Sequence, residues 1–577
     1  SELGKLWKLE NLDVSRNSLG GDIPPELGNC TKLSLLILTN LIDIESCINR
    51  TMVDPVDGYT SKDKGEFNYF TGVVPDSISS LPYLKVFWAP RAGFLADFPS
   101  RWGECLNLEV LNLGENSLSG SIPMELSKCK RLIYLDISFN SLEGNIPEQL
   151  PVHCMVVLNA RGNFLSGNVR FPSGSNDCPS SDLLRSYRHN ASVNTIYSYF
   201  STLYHGSVVT NLSVGLVPRA LLVIHDLSQN NFTGSLPAPF LGSSLRARKP
   251  SYGFFLSKNQ FRGSIPDYLF NICEPLKEYS VSLSYNLLQG PILVESMLEC
   301  HSLKHFEASS NRLTGSIPPK IEGLKELVYL DLGTNYLDGS IPPELGHLQS
   351  LEFLILRNNT LGGSIPSTLG NITMLVVLDL SQNKLSNGIP PELANLHNLK
   401  YLLLNNNSLS GQIPQGLAHI VSVMGLDVAY NNLSGLVPHE KDMEVSCDDA
   451  NFIGNPNLHP CLALAPAPSS EGAYMPQPFE TPPNYIASRR KSQLNWWLIG
   501  VIVIGSVLAF IPLILGVCCY MKKHWSANQE SKKEVVVFVN TGFHLTYENV
   551  VRATGNFSVD NLIGNGGFGA TYKAEVA

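Results

Sequence analysis

Six asparagines, Asn311, Asn335, Asn359, Asn383, Asn407 and Asn431, each lie 24 residues from the next. Around them the chain copies itself, as LKHFEASSNRLTGSIPPKIEGLKE, LVYLDLGTNYLDGSIPPELGHLQS and LEFLILRNNTLGGSIPSTLGNITM. A unit this short cannot bury its own apolar face, so it must stack on its neighbours and the chain must form a solenoid. In L-x-x-L-x-L-x-x-N the leucines point inward from a short strand and its approach. The asparagine sits where the strand turns, and its amide can satisfy backbone groups that would otherwise be buried unpaired. The glycine of L-x-G-x-I-P allows a left-handed bend, and the proline fixes an extended segment that needs no donor. Earlier copies are phased on Asn17, Asn116, Asn140 and Asn163, and on Asn230, Asn259 and Asn286 with looser spacing. In one further copy Ala92 replaces the asparagine, and another is split between Leu41 and Asn68. About fifteen units result, predicting a curved solenoid whose short parallel strands line the concave side.

The L-x-G-x-I-P-x-x-L signature resembles the plant-specific class of leucine-rich repeats. Two interruptions break the array, about 27 extra residues between Leu41 and Asn68 and about 43 between Asn163 and Asn230. Loops of this size within a solenoid are functional islands or disordered segments. Tyr187, Tyr197, Tyr199, Phe200 and Tyr204 in the second favour an ordered island, because disordered segments are poor in aromatics.

Strand alternation allows the concave face to be read directly. Six residues before the asparagine stand His305, Tyr329, Phe353, Val377 and Tyr401, with Tyr134 earlier, and Arg357 and Arg161 lie two before it. Stacked aromatic and arginine side chains on a rigid sheet are what binding hot spots use. Half-exposed strand positions also favour aromatics for purely structural reasons, and both readings stand at this level. His305, Tyr329, Phe353, Arg357 and Tyr401 are therefore the expected ligand face for a peptide or a co-receptor ectodomain. The recurring Asp136, Asp331, Asp379 and Asp427 read as a feature of the repeat. Plant receptors that bind small peptides by a terminal carboxylate resemble one another in an R-x-R pair on a late concave strand. Here the only R-x-R is Arg246-Ala247-Arg248, in a turn region between repeats, which argues against that mode.

From Leu498 to Tyr520 there is no charged residue across 23 positions, about 34 Å of helix and enough to cross a bilayer. Trp496, Trp497 and Tyr520 sit where interfacial aromatics belong, and Lys522 and Lys523 follow at once. Basic residues on the two sides nearly balance, Arg489, Arg490 and Lys491 against Lys522, Lys523, Lys532 and Lys533, so orientation rests on content. Nine N-x-S/T sequons, at Asn29, Asn49, Asn190, Asn211, Asn231, Asn358, Asn371, Asn406 and Asn432, place the repeats outside as glycosylation acceptors. Ten of the twelve cysteines precede the run, consistent with an oxidising compartment. Cys447 and Cys461 are expected to form a disulfide closing the last repeat, and Cys154 with Cys178 is a weaker pair. Cys30, Cys105 and Cys129 share one repeat position, where buried free thiols are at least as good a reading. Cys518 and Cys519 at the membrane edge are small apolar fillers or palmitoylation sites. The net charge of −9 divides unevenly: six Lys/Arg against five Asp/Glu follow Tyr520, leaving −10 before it. Neither part has the concentrated basic face of a nucleic-acid binder. No metal-ligand spacing stands out.

At the inner end, NLIGNGGFGATYKAEV carries Gly564, Gly566 and Gly569 in G-x-G-x-x-G. A dinucleotide-binding loop would follow a buried strand and open a helix. Here both flanks read as strands, so the glycines belong to a hairpin. That hairpin resembles the Gly-rich loop of protein kinases, and TYENVVRATGNFSVDNLIG resembles the lead-in to plant receptor-like kinase domains. The resemblance implies ATP binding by Ile563, Gly564, Asn565, Gly566, Gly567, Phe568, Gly569 and Thr571, with magnesium in the intact kinase. Thr571 stands where most kinases place an adenine-packing valine, which lowers the expected nucleotide affinity. Lys573 lies within the return strand and is not the family's nucleotide-binding lysine. No H-R-D, D-F-G or A-P-E is present, so no catalytic residue is assigned. Leu3, Leu6 and Leu9 already carry the repeat in mid-phase and Ala577 falls within a motif, so the chain reads as a fragment.

The expected fold is thus a leucine-rich-repeat solenoid of α/β type, one transmembrane helix and the first strands of a kinase N-lobe. The parts are repeats over 1–170 with a loop insertion at 42–67, an island at 171–218, and repeats over 219–446. A cysteine cap at 447–461, a Pro-rich stalk at 462–495, the span at 496–520, a juxtamembrane segment at 521–556 and the start of a kinase at 557–577 follow. As a whole the chain resembles plant leucine-rich-repeat receptor-like serine/threonine kinases. The resemblance implies a single-pass plasma-membrane protein that binds a peptide or co-receptor ectodomain outside, works with other receptor kinases and phosphorylates Ser/Thr inside. The alternative is a non-catalytic receptor-like protein or pseudokinase scaffold that acts only through its ectodomain.

Overall fold

The computed structural model describes residues 2–39 (without 16 and 18), 68–171 (without 104), 178, 221–420, 425–438 and 451–459, and the backbone of 562–566 and 569–572. Two compact units divide the chain, Ser1–Pro468 and Ser469–Ala577. In the first, each repeat supplies one short strand to a single 15-stranded sheet, from Asn11–Asp13 to Gly425–Asp427, with parallel neighbours throughout. The expected leucine-rich-repeat solenoid is therefore the fold. After most of the turns the chain adds a second strand to smaller flanking sheets of seven, five and two strands, and many coils return through a one-turn 3-10 helix. Proline opens these turns, as Pro318 does before Pro319–Gly323, because its fixed φ suits a first turn that needs no donor there.

Leucines alternate inward and form one core along the stack, with Leu330, Leu354, Leu378 and Leu402 each 1% exposed or less. The asparagines complete it. Asn335 Nδ2 donates to Ala308 O (3.0 Å), Leu332 O (3.1 Å) and Gly333 O (3.2 Å), and its Oδ1 accepts from Leu313 N–H (3.0 Å). One side chain thus fixes its own turn and ties it to the preceding coil, and the pattern recurs along the stack. The split repeat is explained the same way. Leu35–Ile37 opens a coil, and Asn68 beyond the insertion closes it by donating to Leu38 O (2.6 Å) and Val14 O (2.7 Å). Asn455, 24 residues after Asn431, continues the asparagine series beyond the repeats assigned from the sequence. It caps the last coil through Val428 O (2.9 Å) and Leu433 N–H (3.0 Å).

The cysteines correct the sequence reading in one respect. Cys105 and Cys129 are not free thiols but a disulfide, and Cys273 with Cys300 is another. Both link the same position of successive coils, where stacking brings the sulfurs together. Cys30 alone among the described cysteines is free and buried. Cys154–Cys178 is bonded as expected. It closes off the sulfurs beside His153, so that cluster offers no thiolate pair to a metal. Cys447 and Cys461 lie outside the described residues, as do the apolar run 496–520, the stalk and most of both insertions. Among the described residues no helix is long and apolar enough to cross a membrane.

In the second unit, Leu562–Gly566 and Gly569–Tyr572 pair antiparallel, with Gly566 opposite Gly569. The glycine motif therefore lies in a hairpin, as its flanks predicted. Gly567 and Phe568 at the tip fall outside the described residues.

Candidate functional site: the open outer face of the sheet

Parallel pairing fixes which side chains share a column on the sheet face turned away from the core. Ser280, His305, Tyr329, Phe353, Val377, Tyr401 and Gly425 stand in register, one per coil. Two residues on, Ser282, Glu307, Asp331, Ile355, Asp379, Leu403 and Asp427 form a parallel column. The expected ligand-face residues His305, Tyr329, Phe353 and Tyr401 are therefore one line of side chains.

Their rings form an uneven stack. His305 and Tyr329 have centroids 6.4 Å apart, and Tyr329 and Phe353 5.3 Å apart, both tilted. Ser280 Oγ lies 2.8 Å from His305 Nδ1 and fixes the first ring. Val377 interrupts the run. Beyond it Tyr401 is 41% exposed and lies over Gly425, where a β-carbon would meet its ring at 2.8 Å. Arg357 stands beside the stack, exposed, with Nε 4.0 Å from Asp379 Oδ2.

The carboxylates have two kinds of role. Asp331 Oδ1 accepts from Gly333 N–H (2.9 Å), Asp379 Oδ1 from Ser381 N–H (3.1 Å), and Asp427 Oδ1 from Ala429 N–H (3.0 Å). These are local turn bonds, and they support reading the recurring Asp as a feature of the repeat. Glu307 differs, because its carboxylate reaches the preceding coil to accept from Ser282 Oγ (2.7 Å). Loss of water raises the pKa of both Glu307 and Asp331, and burial, aided by those two charges, raises that of the Tyr329 phenol.

Position along the stack decides which part of this face can be reached. In the earlier coils, outward positions are covered: Trp88 is 1% exposed, Tyr134 5%, Ile224 2% and Asp226 2%. From Leu303 to Asp427 the corresponding residues are mostly half-buried or exposed. Tyr134, offered by the sequence alongside the later aromatics, packs against Trp88 with ring centroids 6.1 Å apart and is not part of the open face. Arg161 stacks on Phe139, 5.5 Å from its centroid. The R-x-R pair lies away from the strands: Arg246 ends a helical turn from Ser243, and its Nη2 donates to Glu274 O (2.7 Å).

A core position in the covered region carries a titratable group that the sequence reading passed over. His225 stands in register with Phe254, where other coils place an inward apolar residue, and is fully buried. Its Nε2 is 3.2 Å from Met155 O and its Nδ1 is 3.0 Å from Tyr252 Oη, which suits a neutral ring that donates from Nε2 and accepts at Nδ1. Burial pushes its pKa down to about 4, against a smaller opposing effect of the Met155 carbonyl. A depressed folded value means that His225 contributes fully above its ordinary value near 6.5, and that the contribution is lost as pH falls towards 4. Asp136 has the opposite sign. Burial raises it to about 6, so its contribution is full below its ordinary value and is lost as pH rises through about 6. His225→Leu with Tyr252→Phe is therefore expected to remove about 3 kcal/mol of acid-side stability loss between pH 7 and pH 4. Denaturant titrations at both pH values would read this as a gain of the double variant relative to the wild type on going from pH 7 to pH 4.

Of the nine sequons, Asn29, Asn231, Asn358, Asn371, Asn406 and Asn432 are exposed, and Asn49, Asn190 and Asn211 lie outside the described residues.

Comparison with known proteins agrees with this fold. The family described as Leucine Rich Repeat matches residues 8–30, 107–129, 131–152, 302–324, 326–348, 350–372, 374–396 and 398–420, each of them falling on the repeats of the stack. Its relatives include proteins named as plant receptor kinases of this kind. The probable LRR receptor-like serine/threonine-protein kinase RPK1 of Arabidopsis thaliana is 48% identical over 83 residues, 14% of this chain and 15% of that protein. Receptor-like protein 32 of Arabidopsis thaliana is 27% identical over 330 residues, 56% of this chain and 33% of that protein. These matches thus span no more than a third of either relative. Among solved structures, the Arabidopsis receptor kinase HAESA, in complex with the peptide hormone IDA and the co-receptor SERK1, superposes with a TM-score of 0.56 at 27% identity. That match covers 80% of this chain and 64% of that one.

Proposed function

We propose that the chain is part of a single-pass plant cell-surface receptor kinase of the receptor-like protein kinase 2 (TOADSTOOL 2) type. Its repeats bind a peptide or a co-receptor ectodomain outside the cell. The carrying observation is that the aromatic column occupies the stretch of the outer face that is open. The likeness to a HAESA structure that holds a peptide hormone and a co-receptor supports this choice of partner. The run 496–520 serves as the membrane span on the strength of its length and flanks.

Inside, the hairpin of Leu562–Gly566 and Gly569–Tyr572 supports a kinase rather than a receptor without one. Backbone N–H groups of a glycine hairpin can approach nucleotide phosphates closely, which ordinary side chains would prevent. ATP with magnesium is the implied phosphoryl donor of the intact domain, whose catalytic groups are not among these residues. The experiment that tests the outer half is binding of secreted peptides and co-receptor ectodomains to the full chain and to Tyr329→Ala/Phe353→Ala. Unchanged binding by the double variant for every partner would refute the assignment of the site.

A further inference from the structure

The open face has a chemical bias that its repeat origin does not explain. From Leu303 to Asp427 neither column on the strands, the aromatic one nor the one beside it, contains a lysine or an arginine. The second column carries Glu307, Asp331, Asp379 and Asp427. Arg357, from a third position of the coil, lies 4.0 Å from Asp379, and its charge also reaches Asp331 and Tyr329, where it offsets only part of the burial effect. The aspartates each commit an oxygen to their own turn, but Glu307 is too long for that bond and instead extends along the face to Ser282. Glu307 and Asp331 flank Tyr329 closely enough to act on its phenol. Rings and carboxylates thus alternate across the strands, with ring faces that themselves attract cations.

We propose that this face docks a peptide segment carrying lysine or arginine side chains, with Glu307 and Asp331 meeting its cations and the rings of His305, Tyr329 and Phe353 packing its apolar residues. The inference rests on the reading of this face as a peptide-binding surface and adds the charge of its occupant. Charge complementarity supplies the choice: an anionic peptide would meet like charge, and a purely apolar one would strip further water from two carboxylates that have already lost some of it. A cation arriving at Glu307 and Asp331 replaces the water they have lost. Both are accordingly worth more to a bound cation than surface carboxylates would be.

The test measures fluorescence anisotropy of labelled short peptides on the full chain in detergent. One peptide alternates lysine and tyrosine, one is the same peptide with its lysines acetylated, and one alternates glutamate and tyrosine. The wild type should bind the lysine peptide on the order of tenfold more tightly than the acetylated one, and the glutamate peptide least. Glu307→Gln/Asp331→Asn should abolish that preference, while Glu392→Gln, on a 3-10 turn away from the strands, should leave it intact. An unchanged thermal midpoint shows that the double variant is folded, since amides are easier to bury than carboxylates. If both lysine and acetylated peptides bind equally and lose binding in Tyr329→Ala/Phe353→Ala, the peptide site stands and the charge inference is wrong. Equal loss in Glu392→Gln also overturns it, as non-specific attraction. If no peptide binds, both readings fall.

Discussion

Asn335→Ala is expected to destabilise the solenoid by about 4 kcal/mol, because a truncated side chain leaves several buried backbone groups without their partner. The amide donates to Ala308 O, Leu332 O and Gly333 O and accepts from Leu313 N–H, and the residue is 6% exposed. Each unsatisfied group costs about 1–3 kcal/mol, though carbonyls with a second lone pair or an admitted water recover part of it. In a stacked repeat the damage should stay near the altered coil, since each coil contacts only its neighbours. Hydrogen exchange should therefore show faster exchange between residues 303 and 359 than in the first coils. Uniform loss of protection over the whole stack would contradict this local account. In the coil where Ala92 replaces the asparagine, Ala92 itself is buried and Phe94, 1% exposed, belongs to the core.

The second large effect concerns binding. Tyr329→Ala/Phe353→Ala should weaken binding of the physiological partner by on the order of a hundredfold, because central aromatic anchors dominate interface energies. The two rings lie 5.3 Å apart, so each supports the other's position and the two truncations should not be additive. Tyr329→Phe separates packing from the phenol: retention of most affinity would show that the ring matters more than its hydroxyl. Phe353 is only 8% exposed, so part of its contribution is to hold Tyr329 upright. Surface plasmon resonance on the double and single variants would resolve these parts.

Much of this was legible in the chain itself. The 24-residue period dictates the stack, and the two-residue alternation of a strand places His305, Tyr329, Phe353 and Tyr401 in one column. The split repeat at Asn68 was readable because an asparagine of the right context reappears after the insertion. Other features depended on which coils are adjacent. Cys105 faces Cys129, and Cys273 faces Cys300, because successive coils both place cysteine at one position. That signal was present in the sequence as spacings of 24 and 27 residues, and so was Asn455. The burial of Trp88 and Tyr134 was not readable, because it depends on which coils are neighbours and how their rings pack together. Equivalent positions in the repeat therefore differ in access, Tyr401 being 41% exposed and Tyr134 5%. His225 was visible as a polar residue at a leucine position, yet its neutral state depends on Met155 and Tyr252 contributed by other coils.

Photo-crosslinking tests the central claim most directly. The full chain would carry benzoyl-phenylalanine in place of Tyr329 or, as a control, in place of Tyr336. Tyr336 is 61% exposed but lies on a flanking strand outside the open face. Both forms would be displayed in plant cells and irradiated, and covalent adducts mapped by mass spectrometry. The account predicts that position 329 captures a secreted peptide or a co-receptor ectodomain and that Tyr329→Ala competes poorly for the same partner. Capture from position 336 alone, or equal capture from both, would contradict it.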